Sequence, residues 1–239
     1  MPIMKSPVKV AKEVIKGDAP ESLDWRTKNA ACVDTIRDQE QCGSCWAFSA
    51  IAAFSDRKCI HDGAKKRTAY SEEYVIGCDP IDQGCNGGYL SMVQMVLTKM
   101  GTTTLKCVSY KSGSGITGSC PTKCDDGSDI TEIVRSKSYK NVCSSVESAK
   151  AALVDGPLTT GFTVYMDFEM YTGGIYHHIY GSMMGGHAVE IVGYGSEDGV
   201  DYWIVKNSWG RVWGENGYFR IMRGTNECGI EDACFATIF

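Results

Sequence analysis

The sequence predicts an α+β fold of two packed lobes with a cleft between them, on three observations. The chain has 239 residues, which is enough for one large domain or two packed halves. Its first half carries helical signals, whereas its second half carries short strand signals separated by glycine-rich turns. Helices that come first and antiparallel strands that come later are typical of an α+β protein, and a cleft between packed lobes is a common binding site.

Two helices are predicted in the first half. Residues Cys45–His61 contain no Gly or Pro and are rich in Ala, Phe and Ile, which indicates a mostly buried helix after the Gln-Cys-Gly-Ser turn. Residues 88–100 place apolar side chains at helical spacing and are followed by Gly101. They predict a second helix whose apolar stripe packs in the core.

The second half is predicted to hold one short helix and several strands. Residues 101–143 are rich in Ser, Thr, Gly and Cys without a period, so we expect a loop region held by disulfides. Ser144 and Glu147 have the spacing of a capping box, which predicts a helix that ends before Pro157. Strands are expected at residues 159–164, 188–194, 202–205 and 218–222.

Charge and hydropathy exclude two classes of partner. The formal net charge is −5, so we expect no nucleic-acid partner. No apolar run reaches the ~18 residues that a membrane-spanning helix needs, so no membrane insertion is expected. No secretory signal pattern precedes residue 30, and residues 1–18 are rich in Lys and Val with nothing to pack against. We expect them to be a propeptide remnant or a segment added for expression, with the mature domain at residues 19–239.

The chain has 12 cysteines, which favours disulfides in an oxidising compartment. Zinc is the alternative for closely spaced cysteines, but none of the histidines lies near them in a zinc-ligand pattern. We therefore expect no metal and no cofactor. The closely spaced pairs are Cys42/Cys45, Cys78/Cys85 and Cys120/Cys124.

Three separate motifs identify the chain's chemistry. They are Gln39-Glu-Gln-Cys-Gly-Ser-Cys45-Trp46, Gly186-His187-Ala188 and Asn207-Ser208-Trp209-Gly210. In this order they resemble the motifs of the papain family of cysteine peptidases. The resemblance implies a helical lobe at about residues 27–125 and a β-barrel-like lobe at about residues 126–220, with chain ends that cross over and the active-site cleft between.

Physical chemistry supports the roles that the resemblance implies. A thiolate is the nucleophile of such enzymes, and the start of a helix at Cys45 favours the anion. His187 as a facing imidazolium would lower the thiol pKa, protonate the leaving amine and later activate water. By resemblance, Asn207 orients the His187 ring, Trp209 shields that hydrogen bond, and Gln39 donates to the oxyanion beside the Cys45 backbone N–H.

Other functions remain as alternatives. Cys42 and Cys45 have the C-x-x-C spacing of a redox pair, but that motif expects a βαβ context that the sequence does not predict. A catalytically inactive homologue could bind peptides in the same cleft. His61, His177 and His178 have no motif around them, so we expect them to be surface or packing residues.

Within the family the chain is most similar to the cathepsin B branch. Matching stretches are residues 55–61, 84–89, 162–168, 183–187 and 228–231. The branch implies a monomeric endopeptidase made as a zymogen, in a lysosome, an endosomal vacuole or outside the cell. Its expected partners are protein and peptide substrates, and propeptide or cystatin-like inhibitors.

The resemblance also implies four disulfides. They are Cys32–Cys59, Cys42–Cys85, Cys78–Cys120 and Cys107–Cys124. Once Cys45 is set apart, an odd number of cysteines remains, so at least one more must be unpaired. Cys143, Cys228 and Cys234 are not assigned by the resemblance, and buried free thiols are the simplest expectation for them.

The expected substrate site has two departures from cathepsin B. Gly87 and Gly88 would offer backbone hydrogen bonds to an extended substrate. Cathepsin B carries an acidic residue where this chain has Ala233, so we expect an apolar P2 side chain, the second before the scissile bond. The P2 pocket would be lined by Tyr89, Leu90, Gly161, Ala188 and Ala233.

Cathepsin B also has a loop that carries two adjacent histidines. The corresponding residues 107–120 of this chain contain no histidine, so an endopeptidase is expected.

Overall fold

The computed structural model describes residues 8–33 and 35–239. The first seven residues of the expected propeptide remnant therefore lie outside the described residues. Among the described residues, no helix is both long and apolar enough to cross a bilayer. The α+β class is confirmed, with helices in the first half and a large sheet in the second.

Helices are most frequent before residue 100. In chain order they are α1 (Trp25–Lys28), α2 (Ala30–Val33), α3 (Cys45–His61), α4 (Glu72–Cys78), α5 (Leu90–Lys99), α6 (Val146–Leu153) and α7 (Met166–Glu169). The longest, α3, has the predicted bounds and is buried on nearly every side, as its dense Ala and Phe content requires. Single 3₁₀ turns lie at Gly84–Asn86, Ser112–Ser114 and Glu227–Gly229.

The strands of the described residues form one sheet. In chain order they are β1 (Leu23–Asp24), β2 (Ser138–Asn141), β3 (Leu158–Tyr165), β4 (Ile175–Tyr176), β5 (Met183–Glu197), β6 (Val200–Lys206), β7 (Tyr218–Met222) and β8 (Cys234–Ile238). Their order is β2-β8-β3-β5-β6-β7-β4, and β1 pairs with β5. The predicted strands are present, but β4 runs parallel to β7, so the sheet is mixed rather than wholly antiparallel.

The sequence patterns placed two helix starts slightly wrong. Ser145, not Ser144, caps α6, because the Ser145 side chain accepts the Ser148 N–H. Ser144 instead donates its hydroxyl to the Glu13 carbonyl, 3.0 Å away, and so binds the N-terminal segment. The second predicted helix begins at Leu90 rather than residue 88, because Gly87 and Tyr89 have non-helical backbone angles.

Five disulfides link the described residues. The pairs Cys32–Cys59, Cys42–Cys85, Cys78–Cys120 and Cys107–Cys124 are all bonded. The expectation of free thiols at Cys143 and Cys234 is wrong, because they form a fifth bond between chain segments 91 residues apart. Cys228 is free and partly exposed rather than buried, and Cys45 is the other free cysteine of the described residues.

The buried apolar side chains form three clusters. One lies beneath the sheet around Trp203, Tyr194 and Phe219, and one surrounds α3 and α5 around Trp46, Phe54 and Leu97. The third joins the helical half to the sheet, because it combines side chains from α3, α5, β5 and β8. Its members are Cys45, Leu90, Ala188 and Phe235.

Candidate active site

The candidate nucleophile, Cys45, is the first residue of α3 and is 3% exposed. The Trp46 indole N–H donates to the Gly84 carbonyl at 3.0 Å, which fixes the start of the helix against the neighbouring loop. Backbone N–H groups of Ala188 and Trp46 hydrogen-bond the Cys45 sulfur and favour its anion. These hydrogen bonds and the helix terminus favour the thiolate, but burial outweighs them and raises the thiol pKa.

The candidate base, His187, lies on β5, next to Ala188 of the same cluster as Cys45. Its Nε2 is 2.7 Å from Asn207 Oδ1, and its ring stacks on the Trp209 indole with 4.8 Å between centroids. The Asn207 contact occupies one ring nitrogen, so Nδ1 is the nitrogen left to exchange a proton. The structure brings these three residues together as the sequence motifs predicted.

Burial disfavours the Cys45 thiolate and the His187 imidazolium when each is the only charge. It raises the pKa of the Cys45 thiol, and it lowers the pKa of His187 to about 4 against the opposing hydrogen bond of Asn207. Burial therefore opposes the lowering of the Cys45 thiol pKa that a facing imidazolium would cause. An isolated buried ion costs several kcal/mol, so ionisation of both groups by transfer of one proton would cost less than either charge alone.

Gln39 lies in the loop before α3 and is 1% exposed. Its Oε1 accepts the Ser208 hydroxyl at 2.7 Å, and its Nε2 donates to the Cys42 carbonyl at 2.9 Å. These two contacts fix the plane of the side-chain amide. Tyr110 donates its hydroxyl to the Gln39 backbone carbonyl at 2.7 Å and so holds the main chain at this residue. Sequence reasoning missed the roles of Ser208 and Tyr110, although Ser208 stands within a recognised motif.

Gly87 and Gly88 form a backbone ledge beside the nucleophile. Gly87 has φ of 118°, which favours glycine. A Cβ at Gly88 would lie 2.6 Å from the Trp46 ring and 2.9 Å from Asp82 Cγ, so only glycine fits between them. Among the described residues, no backbone partner takes the Gly88 N–H or C=O.

Most of the residues expected to line the P2 pocket lie in or next to the third apolar cluster. Leu90 and Ala188 belong to it, Ala233 packs against it, and Gly161 pairs with Ala188 across β3 and β5. Tyr89 is partly buried and caps α5, where its backbone N–H donates to Asp82 at 2.8 Å. Sequence reasoning missed further members from β8, β2 and the N-terminal segment. They are Phe235, Tyr139 and Val10.

A buried ion cluster lies behind Asn207, and no sequence motif predicted it. Lys206 Nζ is 2.5 Å from Asp56 of α3 and 2.8 Å from Glu190 of β5, and Arg67 also pairs with Asp56. Burial and the Asp56 charge raise the pKa of Glu190 to about 8, against the attraction of Lys206. The cluster ties α3, which carries Cys45, to β5, which carries His187, and to the end of β6, which Asn207 directly follows.

The remaining histidines lie outside this site. His61 contacts Asp62, and His177 is exposed. His178 stacks on Tyr165 and its Nδ1 is 3.2 Å from Asp167. Among the described residues, no group of three or more His, Cys, Asp or Glu side chains could hold a metal ion.

Known proteins resemble both the sequence and the structure. The sequence model of one protein family, described as papain family cysteine protease, matches residues 19–238. Cathepsin B-like CP2 of Giardia intestinalis is 52% identical over 227 residues, covering 94% of this chain and 76% of that protein. Cathepsin B-like cysteine proteinase 4 of Caenorhabditis elegans is 40% identical over 262 residues, covering 95% of this chain and 77% of that protein.

Solved proforms share the fold. Procathepsin B S9 from Trypanosoma congolense superimposes with a TM-score of 0.88 at 32% identity, covering 97% of this chain and 82% of that one. Procathepsin L 3 of the Tenebrio molitor larval midgut has a TM-score of 0.77 at 28% identity, covering 100% of this chain and 73% of that one.

Proposed function

The chain belongs to the papain family of cysteine proteases, and from that premise we propose that it is an endopeptidase with an apolar P2 preference. It is a cathepsin B-like cysteine protease by its relatives, and its general mechanism is that of the papain family. The finer proposal concerns which residues act, which substrates fit the cleft and where the chain is cut.

The proposed reaction begins with proton transfer from Cys45 to His187. The Cys45 sulfur attacks the peptide carbonyl carbon, and the oxyanion takes hydrogen bonds from the Gln39 amide and the Cys45 backbone N–H. His187 then protonates the leaving amine, which yields an acyl-enzyme. His187 next removes a proton from water, which hydrolyses the thioester and restores the thiol. Asn207 and Trp209 hold the imidazole in place throughout.

One observation carries these roles: His187 is hydrogen-bonded to Asn207 and covered by Trp209, directly beside the Ala188 that packs on Cys45. The test is labelling with an epoxysuccinyl peptide. Stoichiometric labelling of Cys45 with parallel loss of peptide hydrolysis supports the proposal. Labelling without any hydrolysis to lose would indicate the inactive peptide-binding homologue. The redox alternative needs a free Cys42, whereas Cys42 is bonded to Cys85.

The P2 proposal rests on the charge of the pocket. Leu90, Ala188 and Phe235 form an apolar cluster at the expected pocket, and Ala233 packs against it where cathepsin B carries an acidic residue. The nearby Asp232 accepts the Asn226 amide at 2.9 Å, so its carboxylate is held in that turn. A P2 arginine would lose water without gaining an ion partner, which is costly.

We expect kcat/KM for Leu-Arg or Phe-Arg fluorogenic substrates to exceed that for Arg-Arg by about tenfold or more. The Ala233→Glu variant should raise the Arg-Arg value, because it adds a carboxylate at the pocket, whereas Ala233→Gln should not. Equal kcat/KM for the Arg-Arg and Leu-Arg substrates in the wild-type enzyme would contradict the apolar pocket.

The endopeptidase proposal rests on residues 107–120. The backbone N–H groups of Lys111 and Ser112 donate to Glu73 at 2.9 and 3.0 Å, so this segment is fastened to α4. The only charged side chain of the segment, Lys111, is 2.5 Å from Asp125. No cation of the segment is therefore directed to a substrate carboxylate.

We expect an internally quenched peptide to be cleaved at similar rates with a free and with an amidated C-terminus across acid pH. The reason is that a terminal carboxylate gains no charge-assisted hydrogen bond in the cleft. Product masses should show internal cuts. Stepwise loss of C-terminal dipeptides, much faster from the free acid, would contradict the proposal.

We also propose that residues 1–18 are a propeptide remnant and residues 19–239 the peptidase domain. Within the described part of the remnant, the Glu13 N–H donates to the Asn141 carbonyl at 2.7 Å. Val10 packs against the third apolar cluster, to which Cys45 and Leu90 belong. A segment bound this way competes with substrate, as expected of a zymogen. The disulfides favour a lysosome, an endosomal vacuole or secretion, and we propose a monomer open to cystatin-like inhibitors.

A further inference from the structure

Two carboxyl groups lie beneath the Gly87–Gly88 ledge, in a segment that the catalytic mechanism does not use. Asp79 and Asp82 lie between Cys78 and Cys85, each of which is bonded to another part of the chain. The Asp82 carboxyl directly abuts Gly88.

The hydrogen bonds of the two carboxyl groups leave one oxygen unsatisfied on each. Asp79 Oδ1 accepts the N–H groups of Ile81 and Asp82 at 2.7 and 3.1 Å. Asp82 Oδ1 accepts the Tyr89 N–H at 2.8 Å. Both Oδ2 atoms are buried and have no hydrogen-bond partner among the described residues. Two ionised carboxylates would leave both oxygens unsatisfied and would repel each other.

One proton satisfies both oxygens at once. If Asp82 Oδ2 carries the proton, it donates to Asp79 Oδ2, and every oxygen of the pair then has a partner. We place the proton on Asp82 because its carboxyl group accepts one N–H group, whereas the Asp79 carboxyl group accepts two. Burial and the neighbouring Asp79 charge raise the pKa of Asp82 to about 8, in agreement with this assignment.

We propose that Asp79 and Asp82 share one proton and act as a positioning pair, which holds the substrate-binding ledge in place in acid and releases it as pH rises. The inference rests on the proposed binding of substrate by Gly87 and Gly88. Asp82 contacts the ledge from below, through the Tyr89 N–H and through van der Waals contact with Gly88.

Within residues 8–33 and 35–239, no cationic side chain forms an ion pair with Asp79 or Asp82 that would replace the proton. Asp79 is the titratable side chain that faces Asp82, and the other contacts are the Tyr89 backbone, Gly88 and, across Gly88, the uncharged Trp46 ring. Loss of the proton leaves two adjacent carboxylates, so Asp82 must move away. The ledge then loses the Tyr89 hydrogen bond and its packing on Asp82.

The kinetic test uses Asp82→Asn, an isostere that keeps the Tyr89 acceptor and supplies a permanent N–H donor to Asp79. From about pH 5 to about pH 9, KM of the wild-type enzyme for an apolar-P2 substrate should rise about three- to tenfold relative to Asp82→Asn, with little change in the kcat ratio. Asp82→Ala should have a raised KM at every pH. The exposed Asp198→Asn, in the β5–β6 turn, is the matched control and should follow the wild type.

A second test needs no activity. Asp82 has a higher pKa in the folded protein than its ordinary value near 4, so its contribution to the free energy of unfolding is full below about pH 4 and is lost as pH rises to about 8. The Tm of the wild type, measured with EDTA present, should therefore fall relative to Asp82→Asn across this range.

The two tests separate the inference from the proposed function. The inference is supported if, as pH rises, the Tm of the wild type falls relative to Asp82→Asn and its KM rises relative to that variant. An enzyme that hydrolyses peptides with identical KM–pH and Tm–pH profiles in wild type and Asp82→Asn overturns the inference and leaves the proposed function standing. A chain without hydrolysis fails the proposed function, and the Tm profile still decides whether the proton is shared.

Discussion

Cys45→Ala is expected to abolish peptide hydrolysis while leaving peptide binding in the cleft nearly intact. The covalent step needs the sulfur, whereas the ledge and the P2 pocket bind without it. Because the nucleophile and base act as a unit, we expect kcat to fall by about 10⁴ or more. Single-turnover cleavage and fluorescence titration with a labelled peptide measure the two quantities separately.

Cys228 supplies the control for this experiment, since it is the other free cysteine of the described residues. It is partly exposed beside Glu227 and lies outside the proposed catalytic and substrate-binding residues. Cys228→Ser should therefore keep wild-type kcat and KM. Turnover above about one per cent of wild type in Cys45→Ala would refute the assignment of the nucleophile.

His187→Ala is expected to be nearly as damaging to kcat as Cys45→Ala. Burial disfavours a lone thiolate at Cys45, so removal of the proton acceptor leaves the neutral thiol, a poor nucleophile. The double variant should lose little beyond either single variant, because both changes remove the same step. Measured kcat/KM for the two single variants and the double variant tests this non-additivity.

His61→Ala is the matched control, because that side chain is 54% exposed and lies at the far end of α3 from Cys45. Its kcat/KM should equal that of the wild type. If the effects of Cys45→Ala and His187→Ala instead multiplied in the double variant, the two residues would act in separate steps and the proposed proton transfer between them would be wrong.

Local sequence patterns were sufficient for the helices and strands whose own residues decide them. The bounds of α3 follow from a stretch without Gly or Pro that is rich in Ala, Phe and Ile, and the bounds of β7 from a short run between turns. The identities of Cys45, His187 and Asn207 also followed from the sequence, because each stands in a short motif. Their mutual geometry did not, since it depends on strands and a helix far apart in the chain.

The features that the sequence missed all depend on contacts between distant residues. Composition marks Cys143 and Cys234 as cysteines, but only the pairing of β2 with β8 brings them close enough to bond. Ser144 and Ser145 offer equivalent local caps, and the Glu13 carbonyl from the N-terminal segment binds the first of them. Short strands such as β4 carry almost no periodicity, so their direction is decided by the neighbour they meet.

The sequence by itself determined the α+β class and the longest helix and proposed the reactive side chains, because local propensity and short motifs depend on adjacent residues. Tertiary structure alone decided the environment of those side chains. It buried Cys45 and His187 so deeply that the pKa of the thiol is raised and the pKa of the imidazole is lowered, which disfavours the charged form of each. It also put Lys206 between Asp56 and Glu190. Desolvation and ion pairing depend on what surrounds a group in three dimensions, and the linear order of residues does not specify those surroundings.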